Sequence, residues 1–190
     1  KNILLTISKK KQCSWIKDMK ENTFNTKNFS DKEILLMEKT DERVPKKVLQ
    51  TFICQFMLSR PYSDMFNSEE KICVFSECAD ELEAHHIIPL GSTKKVGEVT
   101  IELRKDNKHI CNSPVNFVFI TKSSNKRILD KPLNEYANDI NDQAKEALHI
   151  GKYKKAIDSK DEVKEILEER FGALSGDVKN RIDICLSGWM

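Results

Sequence analysis

The sequence predicts an α+β protein in which a small core of strands and a helix is flanked by mainly helical segments. Two short runs rich in β-branched and aromatic residues, 82–90 and 117–120, are typical of strands. Outside them, residues 30–33 and 159–162 each place a serine three positions before a glutamate, the pattern that caps a helix start. The expected divisions are a helical N-terminal extension, the core, and C-terminal helices that pack on the core, at residues 1–70, 71–150 and 151–190.

The N-terminal extension is expected to hold two helices and a connection. The first helix covers about residues 31–40. The second begins at Val44 and Pro45, because proline is tolerated in a first helical turn, and ends near Arg60 and Pro61. Residues 62–70 then connect it to the core.

The strands of the core are predicted from short apolar runs. Residues 71–75, 82–90 and 117–120 are the strand candidates. The segment 91–107 between them is loop-like, although the alternation within 96–103 would suit a short hairpin arm. We therefore expect the last two strands to pair back on each other.

Four further helices are predicted toward the C-terminus. One of the serines at 123 and 124 would cap a helix directly after the last strand, and Pro132 would open another helix that runs to about 148. The capping pattern at 159–162 precedes a helix to about 171. A separate helix is expected over 175–186.

Composition restricts the possible functions. The 190-residue chain carries a net charge of only +2, so contact with nucleic acid would have to come from local basic clusters. No apolar run approaches the roughly 18 residues of a membrane span, so no membrane association is expected. Six scattered cysteines favour a reducing cytoplasm over a disulfide scaffold. The chain lacks an initiator methionine, which leaves open that it is part of a longer protein.

The strongest functional signal is a histidine pair followed by two asparagines. His85 and His86 precede Ile-Ile-Pro, and Asn116 and Asn125 lie nine positions apart further on. Phosphodiester hydrolysis needs an activated water and positive charge on the phosphate, and histidine is a natural base at neutral pH. Adjacent side chains of a strand point to opposite faces, so both histidines serve one site only if the strand twists or ends there. Pro89 is consistent with such an ending.

These motifs resemble the HNH nucleases, also called His-Me finger or ββα-metal nucleases, over about residues 73–137. The resemblance implies a ββα-metal core in which His85 ligates the metal and His86 is the general base. It also implies that Asn116 orients the base and that Asn125 completes the metal site.

The sequence departs from this family in its metal ligands. Bacteriocin-type members carry a further histidine four residues after the last ligand, where this chain has Leu129. That difference favours Mg²⁺ or Mn²⁺ with bound waters over a three-histidine transition-metal site. Many members also bind a structural zinc through paired cysteines. The candidates for such a zinc here flank the histidines as two pairs: Cys73, Cys78, His109 and Cys111.

A narrower resemblance concerns residues 112–120, 125–128 and 131–136, together with the Glu-Glu-Arg of 168–170. These segments are similar to the C-terminal nuclease domains of GmrSD-type, modification-dependent restriction and related phage-defence systems. The similarity implies a role in bacterial restriction or anti-phage defence. It also implies a sensor or NTPase part beside the nuclease.

Charged side chains near the motifs are candidate DNA contacts. A first basic cluster surrounds the start of the helix that carries Asn125: Lys122, Lys126, Arg127 and Lys131. A helix start also favours phosphate, so we expect this cluster to contact the DNA backbone. A second cluster contains Arg104, Lys105 and Lys108. Glu83 lies two residues before His85 on the same strand face and either orients it or is an exposed charge.

The leading interpretation is a metal-dependent endonuclease acting on DNA. Because one such site cuts one strand at a time, double-strand breaks would need a homodimer or two visits. Two alternatives stay open: a non-catalytic, zinc-stabilised module that binds nucleic acid or protein, and an RNA-directed nuclease on the same fold. The motif does not separate DNA from RNA, because the chemistry addresses the phosphate.

Overall fold

A computed structural model of the chain describes residues 46–73, 80–97, 99–106, 109–151 and 157–187. The described part is α+β, as the sequence predicts. The helix expected at 31–40 lies outside the described residues. None of the described helices is both long enough and apolar enough to cross a membrane.

Helices make up most of the described chain. The α-helices are α1 Lys46–Leu58, α2 Thr100–Lys105, α3 Lys122–Ile128, α4 Leu133–Tyr136, α5 Asp142–Leu148 and α6 Lys160–Ser187. The strands are β1 Tyr62–Ser63, β2 Lys71–Ile72, β3 Leu82–His86 and β4 Phe117–Thr121. Short 3₁₀ helices cover Leu90–Val96, Ile110–Asn112, Pro114–Asn116 and Ala137–Asp139.

Two antiparallel strand pairs form the β part. β1 pairs with β2, and β3 pairs with β4 in a register that sets His86 opposite Phe117. α3 follows β4 without a loop, so β3, β4 and α3 form a strand–strand–helix unit. Val118 and Ile120 of β4 are fully buried, which anchors the unit in the core. The predicted pairing of the last two strands is confirmed.

α3 begins two or three residues earlier than expected. Its N-cap is Thr121, whose Oγ1 accepts a hydrogen bond from the Ser124 amide at 3.2 Å. The prediction that Ser123 or Ser124 caps this helix is wrong, because the last residue of the strand already provides the capping oxygen. The immediate turn from strand to helix fixes Asn125 close to the sheet.

The segment between the two central strands is helical, so the predictions of a loop over 91–107 and a hairpin arm over 96–103 are wrong. It folds into the 3₁₀ helix Leu90–Val96 and α2. Leu103 is buried while Ile101 is 64% exposed, so the alternating pattern does not mark one buried face. β3 also stops at His86 instead of reaching residue 90, because the amides of the next residues bond to Asn116.

The helix predicted from Pro132 to residue 148 is divided into α4, a 3₁₀ turn and α5. Asn141 causes the division, because its Oδ1 caps α5 by accepting from the Ala144 amide at 2.9 Å. Its Nδ2 also donates to the Asp64 carbonyl at 2.5 Å, which ties this turn to the segment after β1.

α6 is one helix of 28 residues where two were predicted. Its start is confirmed: Ser159 Oγ accepts from the Glu162 amide at 3.2 Å, and Glu162 Oε2 accepts from the Ser159 amide at 3.0 Å. Leu174 and Val178 are buried, so the apolar face continues through the expected break. Packing against the core therefore outweighs the low helix propensity of the intervening glycines.

Asp64, a buried residue of the predicted connection, is hydrogen-bonded to the strand–strand–helix unit. Its Oδ1 accepts from the Thr121 amide at 3.0 Å, and its Oδ2 accepts from the Ser124 hydroxyl. Asp64 is fully buried, so these bonds form away from water, where they are strongest. The connection thus fixes the start of α3 and, through it, the position of Asn125.

Candidate functional site

Both histidines of the pair reach one open cleft. The cleft has a volume of about 1020 Å³, and its lining includes His85, His86 and Asn125. Both histidines are paired residues at the end of β3, opposite Val118 and Phe117. The pairing stops at His86, so the pair lies at a strand end, as the sequence requires for a shared site.

His85 and Asn125 meet across the strand–helix unit. His85 Nδ1 lies 2.9 Å from Asn125 Oδ1, although the residues are 40 positions apart in sequence. Asn125 Nδ2 donates to Glu83 Oε2 at 2.6 Å. Because a carboxylate only accepts hydrogen bonds, Glu83 determines which end of the amide faces it and directs the amide oxygen at His85.

Glu83 thus acts on Asn125, whereas the sequence suggested that it orients His85 or is an exposed charge. The signal was its position two residues before His85 on the same strand face. The sequence did not show that α3 would place an amide between the two side chains.

Burial keeps His85 neutral. Its side chain is only 5% exposed, and the loss of solvation lowers its pKa to about 4, against the opposing effect of the Asn125 hydrogen bond. A neutral imidazole retains the lone pair that a metal ligand needs. The Tyr136 ring stands edge-on to His85 at 6.3 Å and its hydroxyl donates to the Ile87 carbonyl, which restricts the histidine on that side.

His86 lies at the end of β3 with its ring against Phe117. The two ring centroids are 4.2 Å apart with an interplanar angle of 47°. This contact holds the imidazole at the cleft wall, where His86 is partly accessible. The side chain is therefore oriented by packing at the cleft, with its Nε2 buried.

Asn116 fixes the end of β3, the strand that carries both histidines, through hydrogen bonds. It is fully buried, and its Oδ1 accepts from the Ile88 amide at 2.9 Å while its Nδ2 donates to the Cys111 carbonyl at 2.7 Å. Its backbone carbonyl also accepts from the Ile87 amide at 2.9 Å. Asn116 is not among the residues that line the cleft, so these contacts make it a positioning residue for the histidine pair.

Replacing Asn116 with alanine should cost about 3 kcal/mol of unfolding free energy, because it leaves two or three buried backbone groups without partners. Asn116→Asp should cost at least as much, because it buries a carboxylate whose second oxygen faces the Cys111 carbonyl instead of donating to it. Chemical unfolding of both variants measures the difference. Equal stability of wild type and Asn116→Ala would contradict the positioning role.

His85 and Asn125 fit a divalent cation. Two neighbouring ligands of an octahedral ion at about 2.1 Å lie roughly 3 Å apart, close to the separation of His85 Nδ1 and Asn125 Oδ1. One nitrogen and one amide oxygen, completed by water, suit Mg²⁺ or Mn²⁺.

The four cations predicted around α3 lie outside the residues that line the cleft. Lys122 pairs with Glu81 at 2.8 Å, and this hydrogen bond raises the pKa of Lys122. Arg127 pairs with Asp139 at 3.3 Å and covers the Phe66 ring at 4.3 Å. The exposed members of the four are Lys126, Arg127 and Lys131.

A carboxylate already occupies the start of α3. Asp80 Oδ2 accepts from the Ser123 amide at 2.8 Å, and the hydrogen bonds from Ser123 lower the pKa of Asp80. Of the second predicted cluster, Arg104 lines the cleft, Lys105 is exposed outside its lining, and Lys108 lies outside the described residues. Lys94 lines the cleft as well, and no pattern in the sequence marked it.

The predicted zinc ligands are only partly within the described chain. Cys78 lies outside it, while Cys111 is buried and Cys73 is half-buried. His109 Nδ1 accepts from the Cys111 amide at 3.2 Å and so caps a short 3₁₀ helix. Among the described residues, no three His, Cys, Asp or Glu side chains are grouped so as to hold a metal.

No protein-family model matches the chain, and no curated protein or solved structure is significantly similar to it.

Proposed function

We propose that the chain is an HNH-type, metal-dependent endonuclease domain that hydrolyses phosphodiester bonds in DNA. The observation that carries the proposal is the meeting of His85 and Asn125 at 2.9 Å, with His86 beside them in the same cleft. Residues far apart in sequence supply a neutral nitrogen, an amide oxygen and a separate imidazole, which is what a one-cation hydrolase needs.

Each residue has a distinct role in this reaction. His86 takes a proton from water, and the resulting hydroxide attacks phosphorus. The bond from phosphorus to the 3′ oxygen breaks, and that oxygen leaves as the new strand end and is protonated by solvent. His85 and Asn125 would hold the cation. Glu83 fixes the orientation of the Asn125 amide, and Asn116 holds the strand end that carries both histidines.

A bound Mg²⁺ or Mn²⁺ would polarise the scissile phosphate and stabilise the charge that develops on the leaving oxygen. Lys94 and Arg104, on the cleft wall, supply further positive charge for the neighbouring phosphates. In this proposal the domain acts in the bacterial cytoplasm, in restriction or anti-phage defence, beside a sensor or NTPase part.

The test is nicking of a supercoiled plasmid by the purified chain. Mg²⁺ or Mn²⁺ should convert supercoiled plasmid to the open circle, and EDTA should stop the conversion. Running modified plasmid, unmodified plasmid and structured RNA in parallel identifies the substrate. If only RNA is cleaved, the substrate is RNA and not DNA. Binding of DNA without cleavage at any cation concentration would contradict the proposal and support a non-catalytic binding module.

A further inference from the structure

Exposed aliphatic side chains gather at the mouth of the candidate active-site cleft. Val99, Ile101 and Leu129 are 53%, 64% and 68% exposed, and all three line the cleft. We call these three residues the aliphatic rim. Among the described residues, only Ile184 of α6 is a further large hydrophobic with comparable exposure. Single exposed aliphatics are ordinary, but a group of them around one cleft marks a surface for a ligand.

Leu129 has a strained backbone conformation. Leu129 ends α3 with φ 54° and ψ −114°, a conformation that residues with a Cβ rarely adopt. Glycine is the usual residue where a helix ends with positive φ. Strained conformations of this kind persist where surrounding contacts impose them, and they cluster at functional sites.

The strained turn is packed tightly against the 3₁₀ helix Leu90–Val96, which also contributes to the lining of the cleft. A Cβ on Gly91 would lie 2.5 Å from Asp130 Cβ, so the turn after α3 and the 3₁₀ helix Leu90–Val96 approach as closely as a glycine allows. Leu129 is thus presented by a tightly packed part of the molecule, four residues beyond the proposed metal ligand Asn125.

The charges of the cleft indicate what the rim contacts. Two cations, Lys94 and Arg104, and one carboxylate, Asp130, line the cleft along with the rim. Cations beside apolar side chains match nucleic acid, in which phosphates alternate with apolar base faces. Aliphatic side chains reach base faces in a duplex only when neighbouring bases separate, as when apolar wedges enter a base step.

We propose that the aliphatic rim inserts against unstacked bases next to the scissile phosphate, so that the substrate is DNA whose stacking opens locally. This proposal rests on the proposed function and adds the class of substrate. Leu129 and Ile101 contact the opened bases, while Lys94 and Arg104 contact the flanking phosphates. Paired DNA is cut only after the rim separates a base step, and DNA that is already open skips that cost.

Base separation is measurable without cleavage. Short duplexes carrying 2-aminopurine at successive positions are mixed with the chain in EDTA, and the fluorescence of the modified base reports its unstacking. Anisotropy of a labelled end reports binding in the same samples. Wild type should raise the 2-aminopurine signal at least twofold at one or two positions.

Variants separate the rim from the rest of the cleft. Leu129→Gly removes the side chain at a position whose φ suits glycine, so this variant should fold at least as stably as wild type. Leu129→Gly and the double variant Leu129→Ala/Ile101→Ala should bind DNA within threefold of wild type with no fluorescence rise. Ile184→Ala, which removes an exposed aliphatic outside the cleft lining, should behave as wild type.

The rate of cleavage with Mg²⁺ provides a second test of the rim proposal. Wild type should nick a duplex with a central unpaired bubble about tenfold faster than a fully paired duplex. The rim variants should lose at least tenfold more rate on the paired duplex than on the bubble. Equal losses on both substrates, or none on either, overturn the proposal.

The two proposals fail in different ways. Nicking by wild type without any rise in 2-aminopurine fluorescence overturns the rim proposal and leaves the nuclease proposal standing. A rise in 2-aminopurine fluorescence that depends on Leu129, without any nicking, supports the rim proposal and overturns the nuclease proposal. Absence of DNA binding by wild type overturns the rim proposal, and so does a normal rise in Leu129→Gly.

Discussion

Replacing His86 with alanine is expected to lower the rate of metal-dependent nicking at least about 100-fold, the usual contribution of a general base. The variant keeps His85, Asn125 and Glu83, so it should still bind the cation. The substitution removes the packing of the His86 ring on Phe117 but leaves the backbone pairing of β3 with β4 in place, so the fold should survive. Single-turnover nicking at saturating cation measures the effect without contributions from product release.

The chain offers a matched control in a second histidine. His149 ends α5 with φ 52°, a conformation that asparagine tolerates well, and it lies outside the lining of the cleft. His149→Asn should therefore nick at close to the wild-type rate. Full activity of His86→Ala, or an equal loss in both variants, would remove His86 from the role of base.

Replacing Arg170 with alanine is expected to lower the free energy of unfolding by about 4 kcal/mol, the largest stability effect we predict. Arg170 is 2% exposed, donates from Nε to the Leu148 carbonyl at 3.0 Å, and also donates to the Val115 carbonyl. Its second terminal nitrogen lies 3.4 Å from the Phe117 carbonyl. The substitution leaves these carbonyls unsatisfied and opens a cavity.

The effect should extend to the candidate active site, because Val115 and Phe117 flank Asn116. Urea unfolding measures the stability of the variant, and Glu169→Ala is the control. Glu169 is exposed at the preceding position of α6, so its loss should change stability by no more than about 0.5 kcal/mol. Similar values for the two variants would show that Arg170 does not join α6 to the core.

Local patterns in the sequence predicted the parts of the fold that local physics decides. Neighbouring residues alone carry the signals for the β-rich run of β4 and for the capping pair Ser159 and Glu162. Residues 96–103 show where such patterns fail. Their alternation suits a strand, but tertiary contacts bury Leu103 on a short helix and leave Ile101 exposed.

Long-range polar contacts could not be predicted from the sequence. Asp64 lies in a segment that resembles a plain connection, yet its carboxylate fixes the start of α3 from 57 positions away. Arg170 lies in a charged stretch typical of a solvated helix face, yet it is buried. The candidate site was more predictable, because the histidine pair and the asparagine spacing are short motifs. The contact of Glu83 with Asn125 and the place of Lys94 in the cleft lining depend on how α3 and the 3₁₀ helix Leu90–Val96 pack.

The central claim is that a cation held by His85 and Asn125 drives phosphodiester hydrolysis beside His86. The most direct test is the rate of plasmid nicking as a function of Mn²⁺ concentration, for wild type and Asn125→Ala side by side. The account predicts a saturable rate for wild type that EDTA abolishes. It predicts that Asn125→Ala needs roughly tenfold more Mn²⁺ or does not reach a measurable rate. Nicking by wild type in EDTA, or the same Mn²⁺ dependence for both proteins, would contradict it.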